Sequence, residues 1–118
     1  MMQTERRRSP RIRTYQPVRL QPIHSQRSMD TLTKDVSRHG LRCLSEQIFP
    51  VSTEVSVELT TADGPLAARG KTAWFQIIPH SDQVEVGIAF TEISPETIRR
   101  LSVYLDRLSE KSSASITT

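Results

Sequence analysis

Two short clusters hold the residue types that could do chemistry in this chain: an arginine run, Arg6-Arg7-Arg8-Ser9-Pro10-Arg11, and, about two dozen residues on, Asp35-Val36-Ser37-Arg38-His39-Gly40. Planar guanidinium forks suit phosphate oxygens and the O6/N7 edge of guanine, whereas a carboxylate accepts from the amino and imino donors on guanine's other edge. That chemistry is recognition of an anionic, base-bearing ligand. Catalysis would need a nucleophile beside a base, paired carboxylates or a metal held in a pocket. Here the histidines (His24, His39, His80) are scattered, and the acids fall mostly on polar strand faces or in turns. The histidines share no metal-ligand spacing with one another or with Cys43, so no enzyme, metal site or bound cofactor is expected.

Each cluster is ambiguous alone. Arg7 and Arg11 would share a face of a helix, but Pro10 disfavours the helical conformation at Ser9 and has no amide proton to donate. The segment therefore reads as an extended, mobile arm in which roughly 13 Å separates Arg7 from Arg11, at about 3.3 Å per residue. Such an arm could wrap a dinucleotide-sized anion; it could equally be a solvated basic tail. Asp35 and Ser37 are two apart and point to one face of a strand, and Gly40 permits close backbone approach or a positive φ. The same residues also favour an ordinary turn.

The elements that must position these groups read as strands. Thr53 to Leu59 alternates polar and apolar residues without a slip, Ala62-Asp63-Gly64 marks a turn, and residues 66 to 78 run on with Leu66, Ala68, Gly70, Thr72 and Trp74 on one face. A second turn at Pro79 to Asp82 leads to Val84, Val86, Ile88 and Phe90 on one face, with Glu85, Gly87 and Ala89 on the other. Tyr15–Ile23, Arg27–Val36 and Leu41–Leu44 are further strands. Trp74 reads as core or barrel rim, Phe90 as core, and the lone Cys43 as a small packed hydrophobe. Ser94-Pro95-Glu96 opens a helix, which Ile98, Leu101, Leu105 and Leu108 continue as one apolar stripe. The expected fold is an all-β, six-stranded antiparallel barrel over residues 15–108, with a C-terminal helix over about 95–109. A flexible basic arm covers 1–14 and a disordered tail 110–118.

The chain's 118 residues suit one module, and its 36% hydrophobic and 25% charged content is that of a globular protein. The net charge of +3 hides an asymmetry: residues 1 to 20 carry six arginines against one acid, Glu5. No stretch approaches the roughly 18 apolar residues of a membrane span. The arginine-rich start has no apolar segment behind it to make a signal peptide, which predicts a cytoplasmic protein without membrane insertion.

Taken together, RxxxR (Arg7 to Arg11) ahead of the first barrel strand and D-x-S-x-x-G (Asp35, Ser37, Gly40) between later strands resemble the PilZ domain, a bacterial receptor for cyclic di-GMP. Gly70 and Trp74 in one strand, Val86-Gly87-Ile88-Ala89-Phe90 in the next and the closing helix extend the resemblance over residues 5 to 108. It implies a split barrel that binds cyclic di-GMP on its outer surface. Arg7 and Arg11 would grip phosphates and guanine edges, Asp35 would accept from a guanine, and Ser37 would bond near a phosphate or base. Gly40 would keep the surface open, Arg8 would add a clamp, and Gly87 would border the ligand. Arg6, directly before the RxxxR, implies a second, intercalated ligand molecule. The output would be a change of conformation passed to a downstream protein that the sequence does not identify.

Two alternatives compete. A PilZ-like adaptor that binds no nucleotide usually lacks the arginine or aspartate-serine signatures, and both are present. A barrel binding single-stranded nucleic acid usually interleaves aromatic platforms with its charge, and this chain has six aromatic residues in all.

Overall fold

A computed structural model describes residues 11–117, with side chains to residue 110. Its elements, in chain order, are β1 (Ile12–Arg13), β2 (Pro17–Pro22), β3 (Met29–Ser37), β4 (Gly40–Ser45), β5 (Glu54–Thr61), β6 (Gly64–Ile77), β7 (Val84–Glu92) and α1 (Pro95–Thr117). All neighbouring strands are antiparallel, in the order β1-β3-β2-β5-β6-β7-β4. A further β3–β4 pairing joins the ends of the run from β3 to β4. Six strands thus close into a barrel, as expected, and β1 continues the β2 side of β3 along its C-terminal end, with β4 on the other side.

Alternation decides which side chains fill the barrel. In β5 every second residue is buried, so Val55, Val57 and Leu59 point inward while Glu54, Ser56 and Glu58 meet solvent. The same rule sends Val18 and Leu20, Val36, Leu41 and Cys43, and Val84, Val86 and Ile88 into one core, which Leu101 and Leu105 of α1 complete. Phe90 packs against this core and is partly buried. The Cys43 thiol, fully enclosed, is pushed up to about 12 by burial and has no thiolate character at neutral pH.

The helix starts where the sequence places it. Ser94 Oγ accepts from the Thr97 amide at 3.1 Å, Pro95 takes the first helical position, and Glu96 lies in the first turn. Ile98, expected on the packed stripe, is 42% exposed at its edge. The backbone stays helical to Thr117, past the expected end near 109, and no glycine or proline after Pro95 interrupts it. No described helix is long and apolar enough to cross a membrane.

At the other end, Ile12 and Arg13 pair with Val36 and Asp35, so the last part of the expected arm is a strand. Ile12 packs on the core, and the Thr14 amide donates to the Lys34 carbonyl. Residues 1 to 10 lie outside the described residues, and Arg6, Arg7 and Arg8 with them.

Candidate ligand-binding site

The second cluster sits on the β3–β4 hairpin, whose turn is two residues long, Arg38 and His39. With Ser37 opposite Gly40, period-two pairing sets Val36 against Leu41 and Asp35 against Arg42. Val36 and Leu41 enter the core, so Asp35, Ser37 and Arg42 face outward. The expectation that Asp35 and Ser37 share a face is met. Although outward-facing, Asp35 is only 4% exposed.

A carboxylate that deep is costly unless its oxygens are paired. Asp35 Oδ1 accepts from Arg11 Nη1 at 3.0 Å, and Oδ2 accepts from Arg42 Nε at 2.6 Å and Nη2 at 2.5 Å. Arg42 Nη1 donates in turn to Glu85 Oε2 at 2.8 Å, and Lys34 Nζ lies 3.5 Å from that same oxygen. The charges alternate along Arg11–Asp35–Arg42–Glu85–Lys34, across β3, β4 and β7 and the residue before β1. The hydrogen bond to Asp35 raises the Arg42 guanidinium above its ordinary value, so Arg42 stays cationic.

Register extends the site sideways. Arg13 pairs with Asp35, Asp35 with Arg42, Arg42 with Gly87, and Gly87 with Trp74. A β-carbon placed on Gly87 would lie 2.4 Å from the Trp74 ring, so the indole rests directly on this glycine. At about 4.8 Å per strand, roughly 14 Å separates Asp35 from Trp74. An arginine pair, a buried carboxylate and a partly buried indole thus form one outer row of dinucleotide dimensions.

A protein-family model described as the PilZ domain matches residues 5–107, an interval that contains every element of this row. The chain belongs to the PilZ domain family. Among solved structures it is similar to the PilZ domain of YcgR from Escherichia coli with c-di-GMP (TM-score 0.74, 16% identity, 96% of this chain and 98% of that one). It also resembles the Bacillus subtilis inhibitor of motility MotI/DgrA (TM-score 0.77, 15% identity, 93% and 53%) and the K. pneumonia MrkH–c-di-GMP complex (TM-score 0.78, 16% identity, 98% and 57%). The chain spans about half the length of the latter two. No curated protein matches it.

Within this PilZ domain, three sequence expectations look different in three dimensions. Trp74 was expected with Leu66 and Thr72 on one face, in the core or at the rim. A bulge between Thr72 and Trp74 shifts the pairing by one residue and turns the indole to the outside, over Gly87. Gly40 was expected to keep the surface open for a ligand. It is buried without a positive φ, and a β-carbon there would come within 2.1 Å of the Ile88 carbonyl oxygen, so its bareness serves the approach of β4 to β7. The Ser37 hydroxyl accepts from the His39 amide at 3.2 Å and donates to the Gly40 carbonyl at 3.4 Å, closing the hairpin.

Arg42, Glu85 and Lys34 were missed as members of the site. Arg42 had a signal: a two-residue turn that pairs Ser37 with Gly40 must pair Asp35 with Arg42. Among the described residues no cluster of His, Cys, Asp and Glu could hold a metal ion.

Proposed function

We propose that this PilZ domain is a cyclic di-GMP receptor that works in the cytoplasm, changes conformation on binding, and signals through contact with a downstream protein. The observation that carries the reading is Asp35, a carboxylate only 4% exposed, held on the outer face by one arginine from each side. Among the described residues its Oδ1 has a single partner, Arg11, which comes from the end of the basic arm and is 37% exposed. Transfer of Arg11 to a ligand phosphate would release Oδ1 to accept from guanine N1 and N2, and the released arginine would follow the anion. Arg6, Arg7 and Arg8 would close on the remaining phosphates and on guanine O6/N7. Ser37, Gly40 and Gly87 border the same row, and Trp74 offers a stacking face at its far end.

The family supports this assignment, as do the c-di-GMP complexes of YcgR and MrkH, whose fold the chain shares. PilZ domains are binding modules, in keeping with a site that offers recognition groups and no nucleophile–base pair. Roughly 14 Å of row accommodates more than one base, and with Arg6 in the arm we propose two cyclic di-GMP molecules per chain.

Isothermal titration of the wild type beside Arg7→Ala tests the reading. Expected are saturable binding at two ligands per chain, loss of at least tenfold in affinity on substitution, and rejection of cyclic di-AMP. Saturation at one molecule would remove the intercalated pair. No binding at high micromolar ligand would leave the nucleotide-independent adaptor, and steeply salt-dependent binding with little base preference would instead indicate a nucleic-acid surface.

A further inference from the structure

The two arginines on Asp35 are unequal. Arg42 reaches it from the directly opposed position of β4 with two donors on Oδ2, at 2.6 and 2.5 Å. Its third contact, to Glu85 on β7, fixes the guanidinium from the far side at 2.8 Å. Arg11 precedes a strand of only two residues and, among the described residues, makes one side-chain hydrogen bond, at 3.0 Å. One partner is built into the barrel and the other hangs at its edge.

We infer that Arg42 is a positioning residue whose task is to make Arg11 exchangeable. The inference rests on the cyclic di-GMP reading of this site. A buried carboxylate stripped of every cation is strongly unfavourable, so an Asp35 held by Arg11 alone would keep it and resist the ligand. With Oδ2 saturated by the Arg42 fork, the carboxylate remains neutralised after Arg11 leaves. Oδ1 then presents a lone acceptor, held in a fixed direction, to the guanine edge. Glu85 balances Arg42 in the same way, and Lys34 balances Glu85, so exchange at the Arg11 end leaves no other group unpaired. Arg42 thereby sets base selectivity without touching the base, because an aspartate that rotates toward Arg11 no longer distinguishes guanine from adenine.

The test is titration of wild type, Arg42→Ala, Arg42→Lys, Asp35→Ala and the Asp35→Ala/Arg42→Ala double variant with cyclic di-GMP and cyclic di-AMP, folding being checked by circular dichroism. Arg42→Ala is expected to weaken cyclic di-GMP binding roughly tenfold or more. Residual cyclic di-AMP binding should change less than twofold, so the selectivity ratio collapses. Arg42→Lys, which keeps the charge but loses the planar fork, should fall between alanine and wild type and serves as the readout if the alanine variant unfolds. The double variant should bind no worse than Asp35→Ala, because Arg42 acts through that carboxylate. Equal losses for both nucleotides, or losses in the double variant that multiply, would overturn the inference and place Arg42 on a phosphate instead. A wild type that binds no cyclic di-GMP would overturn the receptor reading itself and the inference with it.

Discussion

Two outer faces of the same barrel carry ion pairs under opposite conditions. On the β3–β4–β7–β6 face, the Asp35 side chain is 6% exposed and held by two guanidiniums. On the β2–β5–β6 face lies a groove of about 910 Å³, with Arg19, Glu58, Arg69 and Glu92 in its lining. Its charges are solvated: Arg69 and Glu92 are 60% and 75% exposed and stand 3.9 Å apart. Arg19 pairs with Asp30 at 2.7 Å, both more than half exposed. Concavity would favour the second face as a binding site, whereas the treatment of charge favours the first. Exposed pairs form and break at little cost in water, but a buried acid persists only where its surroundings were built to hold it. Among these faces, the cost of burial points to function more directly than does the size of the hollow.

The largest expected difference between them comes from removing the buried acid. Asp35→Ala should lower cyclic di-GMP affinity roughly 100-fold, since it deletes the proposed guanine acceptor and leaves Arg11 and Arg42 without their common partner. Arg69→Ala on the grooved face should change affinity less than twofold. Titration of the two variants side by side sharpens the contrast if the losses differ as stated. Comparable losses would break it and move the site toward the groove.

Next in size is Trp74, the chain's only tryptophan and therefore an intrinsic reporter. If the indole stacks on a base, Trp74→Ala should lose about 1–3 kcal/mol of binding, roughly fivefold to 150-fold, and wild-type fluorescence should change on ligand addition. An emission spectrum unmoved at saturating cyclic di-GMP would confine the ligand to the Asp35 end of the row. Trp74→Phe, which keeps a ring over Gly87, should recover part of the loss.

Much of this arrangement was legible in the residues, and what was not has a common physical cause. The strict alternation of β5, the Ser94 cap and the shared face of Asp35 and Ser37 follow from periods of two and from capping chemistry, which are local. The pairing of Asp35 with Arg42 was legible too, once the length of the Ser37–Gly40 turn set the register. Trp74 was not. A bulge adds one residue to one strand, so every later side chain on that strand changes face, and the run from Thr72 to Trp74 reads the same with or without it. β1 escaped for a different reason: two residues are too few to display a period, and only Val36 and Asp35 across the ladder make them a strand. Gly40 was correctly singled out as a point of close approach, but its neighbour is the Ile88 carbonyl of β7, a contact between residues far apart in the chain.

The smallest expected effect sets two adjacent residues of β4 against each other. Arg42 faces out toward a buried acid that has partners; Cys43 faces in and is itself a weak acid buried with none. Burial pushes the Cys43 thiol from about 9 up to about 12, so between those values the unfolded chain loses a proton that the folded chain keeps. The contribution of the thiol to stability is therefore fully present below pH 9 and declines as pH rises toward 12. Cys43→Ala lacks this term and should cost about 1 kcal/mol at neutral pH through the small cavity it leaves. The gap in urea midpoint between wild type and Cys43→Ala is accordingly expected to close above pH 9 and to change sign by about pH 10.5. A constant gap would mean that the thiol ionises equally in both states, as it would if water reached it. The interior beside Arg42 would then be wetter than a fully buried Cys43 allows, and the contrast between a compensated and an uncompensated buried acid would lose its second term.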